Sequence, residues 1–213
     1  MEKDNVEVLL ATLTEQVRAY SGLESTAVLF AVLYLVLAIR QNIWCWICAM
    51  VSTAIFAWIF VVAKLYMESV LNVFYFIMAI YGWFVWHSGE SADDDLPVSV
   101  WSRKTHFTAI LVIAVLSATG GFLLTRYSDA AYPYADSATT FAAIWATFLV
   151  ARKVLENWWY WLVIDAVSVV IYWSRDLELT ALLFVAYVAM IPIGLVSWTR
   201  SYRTQQNSAG LAI

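Results

Sequence analysis

The sequence predicts an all-α membrane protein of seven transmembrane helices in a 3+1+3 arrangement. Three observations predict it: an apolar composition, seven apolar blocks of bilayer length, and an internal repeat. The 213 residues are 63% hydrophobic and 13% charged, with a mean hydropathy of +0.74. A soluble domain is about half apolar and roughly a quarter charged. In water this chain would expose more apolar surface than a monomer tolerates, which excludes a soluble enzyme, a nucleic-acid partner and a disordered protein. The net charge of −4 is modest and points to no particular partner.

Residues 1–21 begin with Glu2, Asp4 and Glu7, which excludes a signal peptide. Val6, Leu10, Leu13, Val17 and Tyr20 recur at helical spacing, as in a helix lying on the membrane surface. Seven apolar blocks follow, at 22–39, 43–63, 69–86, 107–124, 138–151, 155–173 and 179–198. Most have the roughly 17–25 residues that cross a bilayer, and the fifth is the shortest. Lipid leaves no partner for open backbone groups, so these blocks are helices. The stretches 87–106, with the acidic run Asp93–Asp95, and 127–137 are read as solvated loops. Many of the 12 tryptophans and 12 tyrosines fall near span ends, as in aromatic belts.

With seven spans, the C-terminal side holds Arg40, Arg103, Lys104, Arg152, Lys153, Arg200 and Arg203. The other side holds Lys3, Arg18, Lys64, Arg126 and Arg175. Seven against five favours a cytoplasmic C-terminus.

Asn42, Trp44 and Trp46 open the second span as Asn157, Trp159 and Trp161 open the sixth, at an offset of 115, and Trp58 then meets Trp173. At an offset of 112, Leu65, Val73, Tyr75, Gly82 and Trp86 meet Leu177, Val185, Tyr187, Gly194 and Trp198. The expected organisation is therefore a repeat over 22–87, a linker with the fourth span over 88–137, a second repeat over 138–200, and a tail over 201–213. Four crossings separate the first and fifth spans, so the repeats run parallel, as in sugar transporters of the SWEET type, with solute bound between them.

Asp165 is the one acid well inside an expected span, and such a residue is a functional candidate by default. It shares a helix face with Asn157, Trp161 and Ser168. Glu68, Asn72, Tyr75, Ala79, Gly82 and Trp86 form a second stripe, and Thr180, Phe184, Tyr187, Gly194 and Trp198 a third. Polar and aromatic residues sharing a face suggest a lined cavity. The expected solute contacts are Asp165, Asn72, Trp161, Trp46 and Asn157, with Tyr75, Tyr187, Glu68, Trp145 and Thr140. No catalytic residue, metal site or cofactor is expected.

Cys45 and Cys48 form a C-x-x-C spacing inside an uncharged span, where they read as small apolar residues. Pro192 in the seventh span and Gly120–Gly121 in the fourth could hinge a rocking motion. No P-loop is present. The four lysines sit at span ends or in loops, which argues against a retinal protein. His87 and His106 fall at segment ends, which argues against haem. A membrane-embedded enzyme is the remaining rival class.

The run Lys64-Leu65-Tyr66 through Asn72, with Tyr81-Gly82-Trp83 and Trp86, resembles the PnuC family of vitamin transporters. So does Ala151-Arg152-Lys153-Val154-Leu155-Glu156-Asn157-Trp158 with Trp161 and Asp165. The resemblance spans about residues 25–200. It implies a bacterial inner-membrane protein that carries a vitamin precursor by facilitated diffusion, made one-way by a cytoplasmic kinase. Nicotinamide riboside is the main substrate in such a family, and relatives carry thiamine or riboflavin. Family members specific for nicotinamide riboside carry glutamine where this chain has Asn72, which keeps thiamine beside nicotinamide riboside as the expected solute. Both have a cationic ring, suited to tryptophan faces and to the Asp165 carboxylate. Proton-coupled symport is the alternative mechanism. The expected assembly is a homo-oligomer, with a trimer among its states, in the lipid bilayer.

Overall fold

The computed structural model describes residues 22–62, 66–87, 96–128, 132–175 and 178–210. Their helices are α1 (Gly22–Ile39), α2 (Cys45–Val62), α3 (Tyr66–His87), α4 (Arg103–Tyr127), α5 (Pro133–Ala151), α6 (Asn157–Trp173) and α7 (Glu178–Gly210). The surface helix expected over 1–21 lies outside the described residues, as do the acidic run, Leu65 and Leu177.

The seven apolar blocks each become a helix, but only α1–α4 and α7 are long and apolar enough to cross a membrane by length and composition. The exceptions have physical causes. Helix α6 has 17 residues, about 26 Å at 1.5 Å per residue, against roughly 30 Å of hydrocarbon. Helix α5 is longer than expected, 19 residues instead of 14, because Pro133 and Asp136 suit a first turn; they also make it more polar. At the other end of the chain, α7 runs unbroken through Pro192 to Gly210 and absorbs the expected tail to that point.

Helix α2 packs between α1 and α3, and α6 packs on α5 and α7. Two further contacts join these groups, α3 with α5 and α1 with α7. Among the helices, the backbone of α4 packs on α5 alone. That contact explains Gly120 and Gly121. A methyl at Gly121 would overlap the ring of Tyr134, and one at Gly120 would meet Ser137 Oγ at 2.9 Å. The glycine pair is a close-packing seam for α5, not the hinge expected from the sequence.

The main core holds a chain of indoles. Trp46 and Trp86 lie 5.3 Å apart, Trp86 and Trp198 6.2 Å, and Trp198 and Trp158 5.5 Å, all edge to face. Trp46 lies against Gly82, and Trp158 against Gly194; a methyl on either glycine would overlap the indole. These pairs correct the repeat register. Trp46 to Trp158 is an offset of 112, the same as Gly82 to Gly194 and Trp86 to Trp198. The counterpart of Trp46 is thus Trp158, not Trp161, and no shortened turn is needed. Two more features recur at 112. Among the described residues, Gln41 and Lys153 are the non-glycine residues with positive φ, at 56° and 47°. Trp198 donates its indole N–H to the Ala38 carbonyl at 3.0 Å, and Trp86 donates to Val150 at 3.3 Å.

Two loop expectations change. Of the stretch read as a solvated loop, residues 96–102 are tied to the helices, with Val98 buried: Ser99 N–H donates to the Lys153 carbonyl, Leu155 N–H to Ser99, and Val98 N–H to Gln205. The apolar run Leu96-Pro97-Val98 has reason to leave water; the acidic residues precede it. Lys153 does lie in a turn, yet its side chain is only 1% exposed, with Nζ 4.5 Å from the centre of the Trp86 ring.

Candidate substrate site

The three expected stripes all point inward. On α6, Asn157, Asp165 and Ser168 are buried and Trp161 half-buried. On α3, Asn72 and Tyr75 are half-buried, and Ala79, Gly82 and Trp86 buried. On α7, Phe184 and Tyr187 are half-buried, and Gly194 and Trp198 buried. Helical spacing of 3.6 is enough to aim these side chains, because nothing in α3, α6 or the inner part of α7 breaks the period.

Asp165 stands at the midpoint of α6 and is 5% exposed. Its carboxyl group lies within electrostatic reach of the Tyr75 hydroxyl on α3 and the Tyr187 hydroxyl on α7. Tyr75 is in turn within reach of Tyr34 on α1 and Tyr172 on α6. Phe184 closes the group, stacked on Tyr172 at 5.2 Å and edge-on to Tyr187 at 5.7 Å. One carboxyl group and four phenols drawn from α1, α3, α6 and α7 therefore share a single region. Tyr75 and Trp161 also pack on Ala143, Ala146 and Ile164, where small α5 side chains let aromatic rings approach.

The other expected contacts divide. Trp46 is 1% exposed, beside Tyr34 at 6.0 Å and Trp86, so it links the tyrosines to the indole chain. Asn157 is fully buried and donates from Nδ2 to the Val154 carbonyl at 2.6 Å, which fixes the start of α6. Thr140 lies on α5 one turn before Ala143, on the face that meets Tyr75. Trp145 clusters with Trp101 at 6.0 Å and Phe148 at 5.7 Å. The side chain of Glu68 lies outside the described residues.

Tyr34 and Tyr172 were not expected from the sequence. A tyrosine in an apolar span reads as a belt anchor; the available signal was that Tyr34 sits in the interior of α1 and not at its end. Three buried polar atoms in the indole chain and at the start of α6 have no hydrogen-bond partner among the described residues: Nε1 of Trp46, Nε1 of Trp158 and Oδ1 of Asn157. Buried polar atoms are nearly always satisfied, so each can serve a bound molecule.

Two shallow grooves lie elsewhere. One is lined by Pro192, Ile193, Val196, Ser197 and Arg200, the other by Tyr132, Ala135, Ala166, Val167 and neighbours. Their volumes are about 590 and 440 Å³, and their walls are mostly residues exposed on the outer surface.

A family model described as nicotinamide mononucleotide transporter matches residues 21–200. The nicotinamide riboside transporter PnuC of Escherichia coli K12 is 23% identical over 215 residues, covering 89% of this chain and 90% of that protein. The riboflavin/roseoflavin transporter RibM of Streptomyces davaonensis is 25% identical over 126 residues, 57% of this chain and 58% of its own length. A crystal structure of the vitamin B3 transporter PnuC shares the fold, with a TM-score of 0.70 at 21% identity over 92% of this chain and 90% of that one. With a match over nearly its whole length, the chain belongs to the nicotinamide mononucleotide transporter family and is a multi-pass membrane transporter of the PnuC type, not an enzyme.

Proposed function

We propose that the chain imports a ring-containing, cationic vitamin across the bacterial inner membrane by facilitated diffusion. Two parallel three-helix halves, α1–α3 and α5–α7, joined through α4 in a SWEET-like 3+1+3 arrangement, hold the solute between them. The observation that carries this reading is Asp165, a buried carboxyl group at the middle of α6 within electrostatic reach of tyrosines on α3 and α7. A charge at that depth costs several kcal/mol in lipid, and a cationic ring offsets the cost by supplying the countercharge. Asn72, Trp161 and the indole N–H groups of Trp46 and Trp158 orient the ring and its sugar or amine. Nicotinamide riboside, the substrate named for the E. coli relative, and thiamine both fit this chemistry.

Trapping follows from phosphorylation by a cytoplasmic kinase, since a facilitator alone only equilibrates its solute. The C-terminus lies in the cytoplasm with Arg40, Arg152 and Arg200, and the working assembly is a homo-oligomer.

Two measurements test this. Titration against nicotinamide riboside, thiamine and riboflavin should show tight binding of one cation. Sub-micromolar binding of riboflavin with neither cation bound would sink the charge argument and favour the chemistry of the RibM relative. Proteoliposomes containing the matching kinase and ATP should accumulate the vitamin, and empty ones should equilibrate. Accumulation driven by a pH gradient without kinase would make the protein a proton symporter.

A further inference from the structure

We propose that the end of the molecule bearing Arg40, Arg152 and Arg200 is a gate, held shut in this structure by a pair of exchanged tryptophan latches. Trp86 of the first half donates its indole N–H to the Val150 carbonyl of the second, and Trp198 of the second half donates to Ala38 of the first. Three more hydrogen bonds join the halves at the same end. Ser197 Oγ donates to the Ile39 carbonyl at 2.9 Å, Gln41 Nε2 to Ser201 Oγ at 2.8 Å, and Arg152 to the Tyr81 hydroxyl at 3.4 Å. The inference rests on the two-half reading above and adds to it where the halves part.

The local chemistry suits a seal that opens. Ala38 and Val150 lie in the last turns of α1 and α5, where carbonyls lose their helical partners. Gln41 and Lys153 end those helices with left-handed backbone, as helix terminators do, and their own N–H groups return to the Ala38 and Val150 carbonyls, each at 2.9 Å. Each indole is a second donor to an oxygen that keeps a local partner when the latch opens. Water in the headgroup region can take over such a carbonyl at little cost, so each latch is reversible. A bond in the hydrocarbon would not be. Lys153 holds its ammonium over the ring of Trp86, fixing the indole that carries the latch. Each half thus caps the other, and helix contacts between the halves run through α3 with α5 and α1 with α7, the helices that carry the latches.

Cys45 offers a native reporter. It is a free thiol at the first residue of α2, fully buried, beside Trp46 and within electrostatic reach of Lys153. In a Cys48→Ala background, a charged, membrane-impermeant methanethiosulfonate should label Cys45 slowly. Trp86→Phe with Trp198→Phe keeps an aromatic ring at each position, smaller than the indole, and removes both donors; labelling should then rise about tenfold, with a melting temperature no lower than that of Trp46→Phe with Trp158→Phe, which opens similar space and leaves both latches in place. Unchanged labelling in a folded double variant overturns the gate. Faster labelling with a larger loss of melting temperature reports general loosening and also overturns it. Where the double variant does not fold, Gln41→Ala and Ser201→Ala carry the test on a half-buried bond: about twofold to threefold faster labelling supports the gate, and no change rejects it. Vitamin uptake by the Cys48→Ala parent reports the transport reading separately.

Discussion

The two halves share their scaffold and differ in their chemistry. At the single offset of 112, Trp46 matches Trp158, Gly82 matches Gly194 and Trp86 matches Trp198, each in the same contact, and Tyr75 matches Tyr187 in sequence. The polar residues do not match. Asp165 stands opposite Thr53, Asn157 opposite Cys45, Lys153 opposite Gln41 and Trp161 opposite Ala49, so charge collects in the second half. The first half answers with Asn72 where the second has Phe184, and with Tyr34 where it has Ala146. Rings against glycines are what both halves need to pack. In the proposed site a single cationic solute needs one countercharge, and a second carboxylate facing Asp165 would repel it.

The largest expected effect tests the shared part. Gly82→Val and Gly194→Val should each cost about 3 kcal/mol or more, because the added carbons overlap an indole with no room to move. Thermal melting in detergent should show equal losses; a loss at one glycine only would break the symmetry. Next comes the unshared part. Asp165→Asn should weaken vitamin binding by about 1.5–3 kcal/mol, roughly tenfold to a hundredfold, at unchanged or higher melting temperature. Asp165→Leu should be worse still. Unchanged affinity in a folded Asp165→Leu protein would move the site to Asn72, Tyr75 and Tyr187. Tyr75→Phe and Tyr187→Phe should each cost about 1 kcal/mol of affinity, measured by the same titration. The smallest effect is expected at Thr53, whose hydroxyl donates to Ala49 of its own helix at 2.7 Å. Thr53→Ala should change stability and affinity by less than about 0.5 kcal/mol, which would show that the position opposite Asp165 is chemically silent.

Much of this was legible in the sequence, for reasons that particular residues show. Helix positions follow from apolar blocks with uninterrupted period, so the inward stripes through Asp165 and Tyr187 could be read directly. The register of α6 could not. Trp158, Trp159 and Trp161 offer two alignments one helical turn apart, and the N-x-W-x-W pattern selects the wrong one. The discriminating signal was Arg40 against Arg152, which holds only at 112. Lys153 escaped because a lysine at a helix end ordinarily faces water; its burial over Trp86 depends on a ring brought from 67 positions earlier in the chain. Tyr34 escaped because α1 carries no other polar residue on its inner turns to mark a face.

The crossed caps also set an order of events during synthesis. The carbonyls of Ala38 and Ile39 leave the ribosome about 160 residues before Trp198 and Ser197, which bond them. At roughly 5–20 residues per second that interval is about 8–30 s. Through it the first three helices are complete, but at the end of α1 the Ala38 carbonyl has only its local bond from the Gln41 N–H, and the donors from α7 are still to come. A nascent chain halted after α6 would hold every element of the first half and still lack its closure. Helix α7 is the one that finishes α1.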